Sequence, residues 1–358
     1  MRRATARDVA ETAGVSVATV SRVINRATGV NPETAAKVHA AVAELGYRPN
    51  GVGRSLKTAS SRLIGVLIPT LSNPVFAEAV DGIAEGVADG GYSLLFSASD
   101  YRRDAERKGI ETLLNYRVDG LIVTVADAAD SEILDLLDAA EVPYVLAYNP
   151  AGAHGRPTVT VDNCAAGALV AERLIGYGHR RLGMIAGRLT DSDRARARYQ
   201  GFAAAAAAAG LPPPRLCEVP FTRPALEPVL GEIFAAPDAP SALFCSNDML
   251  AIATIGVLAG LGISVPGDVS IVGFDGIAIG NLLHPSLATV VQPSRELGRT
   301  AARQLLRRLA GEAAVAPVIL PHVLRHGHSV GPAAKSGRTQ GPASNSTVSG
   351  LEIRTSTP

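Results

Sequence analysis

Between Ala4 and Arg54 the chain reads ATARDVAETAGVSVATVSRVINRATGVNPETAAKVHAAVAELGYRPNGVGR, and this stretch leaves few folds open. Thr5 followed three residues later by Asp8 has capping-box spacing, and an acid suits the positive end of a helix. Val9, Ala10 and Ala13 then recur at helical spacing on one face. Gly14 supplies the backbone conformation of a tight turn, and Val15 plugs the angle between two helices. Ser16 caps a second helix whose Val20 and Val23 point inward, leaving Val17, Ala18, Ser21, Arg22 and Asn25 on an outer face. Asn31 and Pro32 open a third helix that stops at Gly46, and its Ala35, Val38, Val42 and Leu45 close a three-helix core.

Two short helices across such a turn lay the second helix in a DNA major groove, where the exposed residues of its first turns meet base edges. Arg22 offers paired hydrogen bonds to guanine, while Val17 and Ala18 offer apolar contact to a thymine methyl. Ser16, Thr19, Ser21 and Asn25 are short donors suited to phosphates or base edges, and Thr5 and Arg54 complete the candidate contact set. The competing reading is a hairpin that merely packs, with Arg22 as a solvated charge. Agreement of caps, turn and third helix argues against it. So does charge: residues 1–60 hold nine Lys/Arg against four acids, a net of +5, so the rest of a chain of net +1 carries −4. A basic head on a mildly acidic body is the footprint of a nucleic-acid-binding domain joined to something else.

From Pro49 to Ser61 the sequence is PNGVGRSLKTASS. Asn50 is placed to cap a short helix holding Val52, Ser55 and Leu56, but Gly51 and Gly53 each oppose helix by about 1 kcal/mol. The plain reading is a linker. DVAETAGVSVATVSRVIN and the ensuing ELGYRPN closely resemble the signature of the lactose/galactose-repressor (LacI-type) family of bacterial transcription regulators. That resemblance implies a hinge that folds on DNA, pairs with its dimer mate in the minor groove and wedges a leucine into the central base step, a position matched by Leu56.

Beyond Arg62, apolar strand-like runs alternate with helical stretches: LIGVLIP (63–69), YSLLFSA (92–98), GLIVTVA (120–126), PYVLAY (143–148), TVTVD (158–162), RLGMIAG (181–187), ALFCSN (242–247) and VSIVGFD (269–275). Near-continuous apolar strands separated by helices predict parallel sheets covered on both faces, and their number predicts two subdomains. Ligands of open α/β sheets bind beyond the strand C-termini. Polar residues cluster there: Ser72-Asn73, Tyr148-Asn149, Ser246-Asn247-Asp248 and Asp275. Taken singly, Asn73-Pro74 reads as a turn and Asp248 as a helix cap.

SNDMLA, GISVPGDVSIVGFD and HPSLATVVQP resemble the two-lobed, periplasmic-binding-protein-like core of the same family. The resemblance implies a ligand held between the lobes by Asn73, Val75, Phe76, Tyr148, Arg198, Phe221, Asn247, Asp275 and Gln292. Tyr148 falls where many sugar-responsive members have Asp, and Gly276 replaces a second Asp after GFD.

Enzyme signatures are absent: no G-x-x-x-x-G-K-[ST], H-E-x-x-H or G-x-S-x-G occurs, and no G-x-G-x-x-G follows a strand. His322, His326 and His328 read as surface or strand-edge histidines rather than metal ligands. Cys164, Cys217 and Cys245 lack C-x-x-C spacing and suggest reduced thiols in the cytoplasm. No secretory leader and no apolar run long enough to span a membrane stand out. The expectation is an N-terminal all-α helix-turn-helix domain (1–47), a hinge (48–60), an α/β two-lobed periplasmic-binding-protein-like effector-binding and dimerisation domain (61–331) and a disordered tail (332–358). Its partners would be a palindromic double-stranded operator, a second copy of the chain and a small effector, a sugar first. Neither cofactor nor metal is expected.

Overall fold

The computed structural model describes residues 4–24, 30–47, 60–152, 155–222, 224–312 and 316–333. The expected hinge, apart from Ser60, and the expected tail beyond Ala333 lie outside them.

The N-terminal helices form as the caps predict. Helix α1 spans Ala6–Ala13, and its capping box is complete: Thr5 N and Oγ1 both donate to Asp8 Oδ2, at 2.7 and 2.8 Å, while Asp8 N donates back to Thr5 Oγ1 at 3.4 Å. Gly14 takes φ +64°, closing α1 and turning the chain into α2, Val17–Ile24. Helix α3, Pro32–Glu44, starts under Asn31, whose Oδ1 accepts from Glu33 N at 2.8 Å. Val9, Val20 and Val38 are completely buried where the three helices meet, and Ala35, Val42 and Leu45 pack around them.

The remaining chain builds two α/β sheets. The first has strands β1 Leu63–Ile68, β2 Ser93–Ala98, β3 Gly120–Val123, β4 Tyr144–Ala147 and β5 Thr158–Val161, joined by β11 Val318–Leu320. The second has β6 Leu182–Gly187, β7 Arg215–Val219, β8 Ala242–Cys245, β9 Ser270–Asp275 and β10 Ala288–Val291, joined by β12 Val323–Arg325. Their orders, β2-β1-β3-β4-β5-β11 and β7-β6-β8-β9-β10-β12, are the same doubly wound order repeated. Neighbours among β1–β5 and among β6–β10 run parallel, and β12 runs antiparallel to β10. β3, β4, β8 and β9 are buried along their whole length, which is why they read as unbroken apolar runs. The eight strands expected from sequence are all present, slightly shorter. β7, β10, β11 and β12 add to them; β7 and β12 carry Arg or Glu on half-exposed edges, which hides a strand from hydropathy.

Around the first sheet lie α4 Pro74–Ala88, α5 Arg103–Asn115, α6 Glu132–Ala139 and α11 Ser294–Leu309; around the second, α7 Asn163–Gly176, α8 Asp193–Ala208, α9 Leu226–Ala235 and α10 Asp248–Gly260. Compact units follow these sheets: one comprises Met1–Thr160 with Ser294–Ile319, the other Val161–Pro293 with the chain from Leu320. Each unit contains one helix pair in backbone contact through glycine. In α4 and α11, a Cβ on Gly82 would stand 1.9 Å from Arg295 O, and one on Gly298 2.0 Å from Ala79 O. In α7 and α8, a Cβ on Gly167 would stand 2.0 Å from Arg198 O, and one on Gly201 1.8 Å from Cys164 O.

Candidate functional site

Three groups of candidate residues emerge, one in the helical head and one at the C-terminal strand edge of each sheet.

In the head, Ser16, Val17, Ala18, Thr19, Ser21 and Arg22 lie on or just before α2. Val17, Ala18 and Arg22 are exposed, Val17 at 47% of its surface despite being apolar. Ser16 Oγ accepts from Thr19 N at 3.1 Å and lies 2.9 Å from Thr19 Oγ1, so both hydroxyls first serve the cap. Thr5 is likewise engaged in the α1 capping box. Asn25, Arg54 and Leu56 lie outside the described residues.

In the first sheet, β1 and β3 are neighbours although β2 intervenes in sequence, so the chain reverses winding direction between them. Asn73 follows β1. The turn expected at Asn73-Pro74 is corrected by the structure: Asn73 is the N-cap of α4, with Oδ1 accepting from Val75 N at 3.3 Å, and Pro74 is the first helical residue. Val75, Phe76 and Tyr148 come together. The Phe76 and Tyr148 rings meet edge to face at 5.3 Å, and Tyr148 OH donates to Val75 O at 2.9 Å. Tyr148 adopts φ +70°, a left-handed conformation that L residues rarely hold, and Thr160 Oγ1 donates to its carbonyl at 2.7 Å. The neighbouring Asn149, wholly buried, pairs its side-chain amide with both backbone groups of Val125 at 3.0 and 2.8 Å. Ser99, at the end of β2, carries no signal in the sequence; it is buried, its hydroxyl has no hydrogen-bond partner among the described residues, and Asp100 and Tyr101 follow with φ +50° and +59°.

In the second sheet the same reversal falls between β6 and β8. Arg198, on α8, is 6% exposed: Nε donates to Asn163 Oδ1 at 2.9 Å, Nη1 to Ser246 O at 2.5 Å, and the guanidinium lies 3.4 Å over the Phe274 ring centre. Asn163 has no sequence signal beyond its position after a strand. Phe221, just beyond β7, is half-buried with its ring against the backbone of Gly187. Asn247 caps α10, accepting from Leu250 N at 2.8 Å. Asp248, expected to be that cap, is instead the first helical residue, wholly buried and turned to other partners. Asp275 ends β9 at φ +124°, and its Oδ1 accepts from Gln292 Nε2 at 2.8 Å. Gly276 follows at φ +80°, where a Cβ would stand 2.8 Å from Val291 Cα, so a side chain at this position would be strained in the conformation seen.

At the edge of the second sheet, burial dominates the electrostatics. Burial raises the Asp248 carboxyl, against hydrogen bonds from Thr289, Ile277 and Gly276 and the charge of Arg325, and the net shift is upward. Burial pushes the Cys245 thiol up to about 12, far from a reactive thiolate. His326 and His328 are exposed and His322 half-buried; no cluster of three His, Cys, Asp or Glu side chains that could hold a metal occurs among the described residues. The strand ends therefore present fixed donors, acceptors and rings, which is the chemistry of recognising a polar small molecule.

Residues 5–50 match bacterial regulatory proteins of the lacI family, and residues 171–330 match the periplasmic binding protein-like domain. The HTH-type transcriptional repressor PurR of Photobacterium profundum is 36% identical over 311 residues, covering 86% of this chain and 92% of that protein. Among solved structures, the Lac repressor dimer bound to operator and the anti-inducer ONPF superposes with a TM-score of 0.81 at 29% identity, covering 92% of this chain and 100% of that one. The complex of the transcriptional regulator CelR with cellobiose superposes with a TM-score of 0.68 at 28% identity, covering 91% and 100%.

Proposed function

Because the chain belongs to the LacI family of bacterial regulatory proteins, we propose that it is a homodimeric, operator-binding transcriptional repressor whose grip on DNA is set by a small polar effector, a sugar first. The observation that carries the DNA half of this reading is helix α2, which leaves Val17 and Ala18 exposed at its start and Arg22 in its last turn while Ser16 and Thr19 hold its start. Arg22 pairs with guanine and Val17 and Ala18 touch thymine methyls, Ser16, Thr19, Ser21 and Asn25 meet phosphates or base edges, Thr5 and Arg54 complete the DNA contacts, and Leu56 enters the minor groove. Two heads then read half-sites about one helical turn apart on a palindrome.

For the effector half, the support is that two independent sheets end in matched polar clusters at their winding reversals, each with an aromatic ring beside hydrogen-bonding groups. Asn73, Val75, Phe76 and Tyr148 contribute from the first sheet; Arg198, Phe221, Asn247, Asp275 and Gln292 from the second. A solved relative carries cellobiose, which favours a sugar. Effector and operator binding are coupled by about 1–3 kcal/mol. Acting on chromosomal DNA places the protein in the cytoplasm; no helix among the described residues is long and apolar enough to cross a membrane.

Selection of genomic fragments at low ionic strength, followed by titration with D-ribose, cellobiose, further common sugars and nucleobases, tests both halves. Arg22→Ala should weaken the selected operator by about 1–3 kcal/mol and relax preference at one base position. Equal weakening on every fragment would remove Arg22 from base reading, and failure to retain any fragment would overturn the proposal. Release by a nucleobase but by no sugar would replace the effector class.

A further inference from the structure

The turn that follows Asp275 is held from two sides. From one side comes Asp248 at the start of α10. Its Oδ2 accepts from both Gly276 N and Ile277 N, each at 2.8 Å, and its Oδ1 accepts from Thr289 Oγ1 at 2.5 Å. Gly273 makes room for this carboxylate, since a Cβ there would lie 2.1 Å from Oδ1. From the other side comes Arg325 on β12, which is the register partner of Thr289 across the antiparallel pair. Its Nη1 donates to Gly276 O at 3.2 Å and its Nη2 to Ile277 O at 3.3 Å. Both residues of the turn thus have their N–H groups on an anion and their carbonyls on a cation.

Such holding is needed because Asp275 is not glycine, yet sits at φ +124°, a conformation that persists only where the surroundings enforce it. Its carboxylate is separately steadied by Gln292. A charged group donating to or accepting from a backbone partner contributes more than a neutral one, so the arrangement suits a position that must not relax.

We propose that Asp248 and Arg325 are positioning residues that clamp the Gly276–Ile277 turn and thereby fix the Asp275 carboxylate for effector recognition, without touching effector themselves. The last step rests on the reading of Asp275 as an effector contact, given above; the clamp itself does not.

The test uses the full-length protein without effector, in Asp248→Asn, which keeps shape but removes charge, and in Arg325→Met, which keeps bulk but removes the donors. Amide hydrogen exchange should accelerate at least about tenfold at Gly276 and Ile277, while amides of β6 and β8 keep their protection. The side-chain amide signals of Gln292, which report the Asp275 carboxylate through their hydrogen bond, should shift in both variants. Unchanged exchange at the turn in both variants overturns the clamp. Faster exchange there with unmoved Gln292 signals overturns its reach to Asp275. If Asp248→Asn loses protection throughout the second sheet, Arg325→Met, at a half-exposed site, decides alone. A verified clamp together with an Asp275→Ala protein that still answers its effector would sink the role of Asp275 and leave the clamp standing.

Discussion

The two α/β units share strand order and share a glycine-mediated helix contact, yet they secure their strand ends with a different balance of neutral and charged groups. In the first, the residues after β4 are held by neutral groups: Tyr148 on Val75, Phe76 against Tyr148, Asn149 on Val125; past β3, the buried Glu106 Oε1 accepts from Ala126 N at 2.8 Å. In the second the fixing groups are charged: Arg198 on Asn163 and Ser246, Asp248 and Arg325 on one turn, Asp275 with Gln292. The duplication teaches that the doubly wound scaffold dictates where polar groups gather, not which ones. Neutral fixation costs little to bury; charged fixation is stronger but leaves a costly orphan when one partner is removed.

The shared helix contact offers the harshest way to break the comparison. Gly82→Ala in the first unit and Gly201→Ala in the second each push a methyl into a backbone carbonyl, and each should cost about 3 kcal/mol or more in denaturant unfolding. If one is silent, the contact is not a common device. Because Gly201 lies three residues from Arg198 on α8, its variant should also blunt effector response, whereas Gly82→Ala should destabilise without that specific loss.

Next come the anchors. Arg198→Ala strands Asn163 and the Ser246 carbonyl and should cost about 1–3 kcal/mol of stability. It should also abolish the effector's influence on operator binding while leaving effector-free DNA affinity intact; a normally responding variant removes Arg198 from the site. Tyr148→Phe, its neutral counterpart, loses one hydrogen bond and should cost only about 1 kcal/mol. Equal losses from the two would erase the contrast between charged and neutral fixation.

The smallest effect concerns pH. His179 is buried, contacts Ser241 Oγ at 2.9 Å, Ser270 Oγ at 3.0 Å and Gly331 O at 3.1 Å, and burial lowers its pKa. The unfolded chain therefore binds the proton more readily, so stability is complete above about pH 6.5 and declines as pH falls through the lower folded value. Thermal scans from about pH 7.5 to 5, bracketing the ordinary histidine value, should show the decline in the native protein and less of it in His179→Gln. An identical slope in the variant would assign acid sensitivity to other groups.

Much of this architecture is legible in the chain. The head can be read because each cap lies within three residues of what it caps, as with Thr5 and Asp8. Fully buried strands can be read because burial on both faces leaves no polar interruption. Asp248 misleads for the opposite reason: its partners Gly276, Ile277 and Thr289 stand 28, 29 and 41 residues away, and nothing local distinguishes it from a capping acid. Arg325 hides in a histidine-rich run for the same cause. Asn73 can be placed from sequence but not given its job, because Asn-Pro signals a turn and a helix start alike.

Asp119, just before β3, receives Ser61 N at 2.7 Å, Ser61 Oγ at 2.8 Å and Arg62 N at 3.2 Å, as well as the Ser60 hydroxyl. Burial raises its carboxyl, and these donors more than reverse that. The polypeptide is thus held to Asp119 at the residues that lead into β1. Displacing Ser60 or Ser61 must break or drag the hydrogen bonds to Asp119, so the chain segments that enter β1 and β3 are tied together at their N-terminal ends.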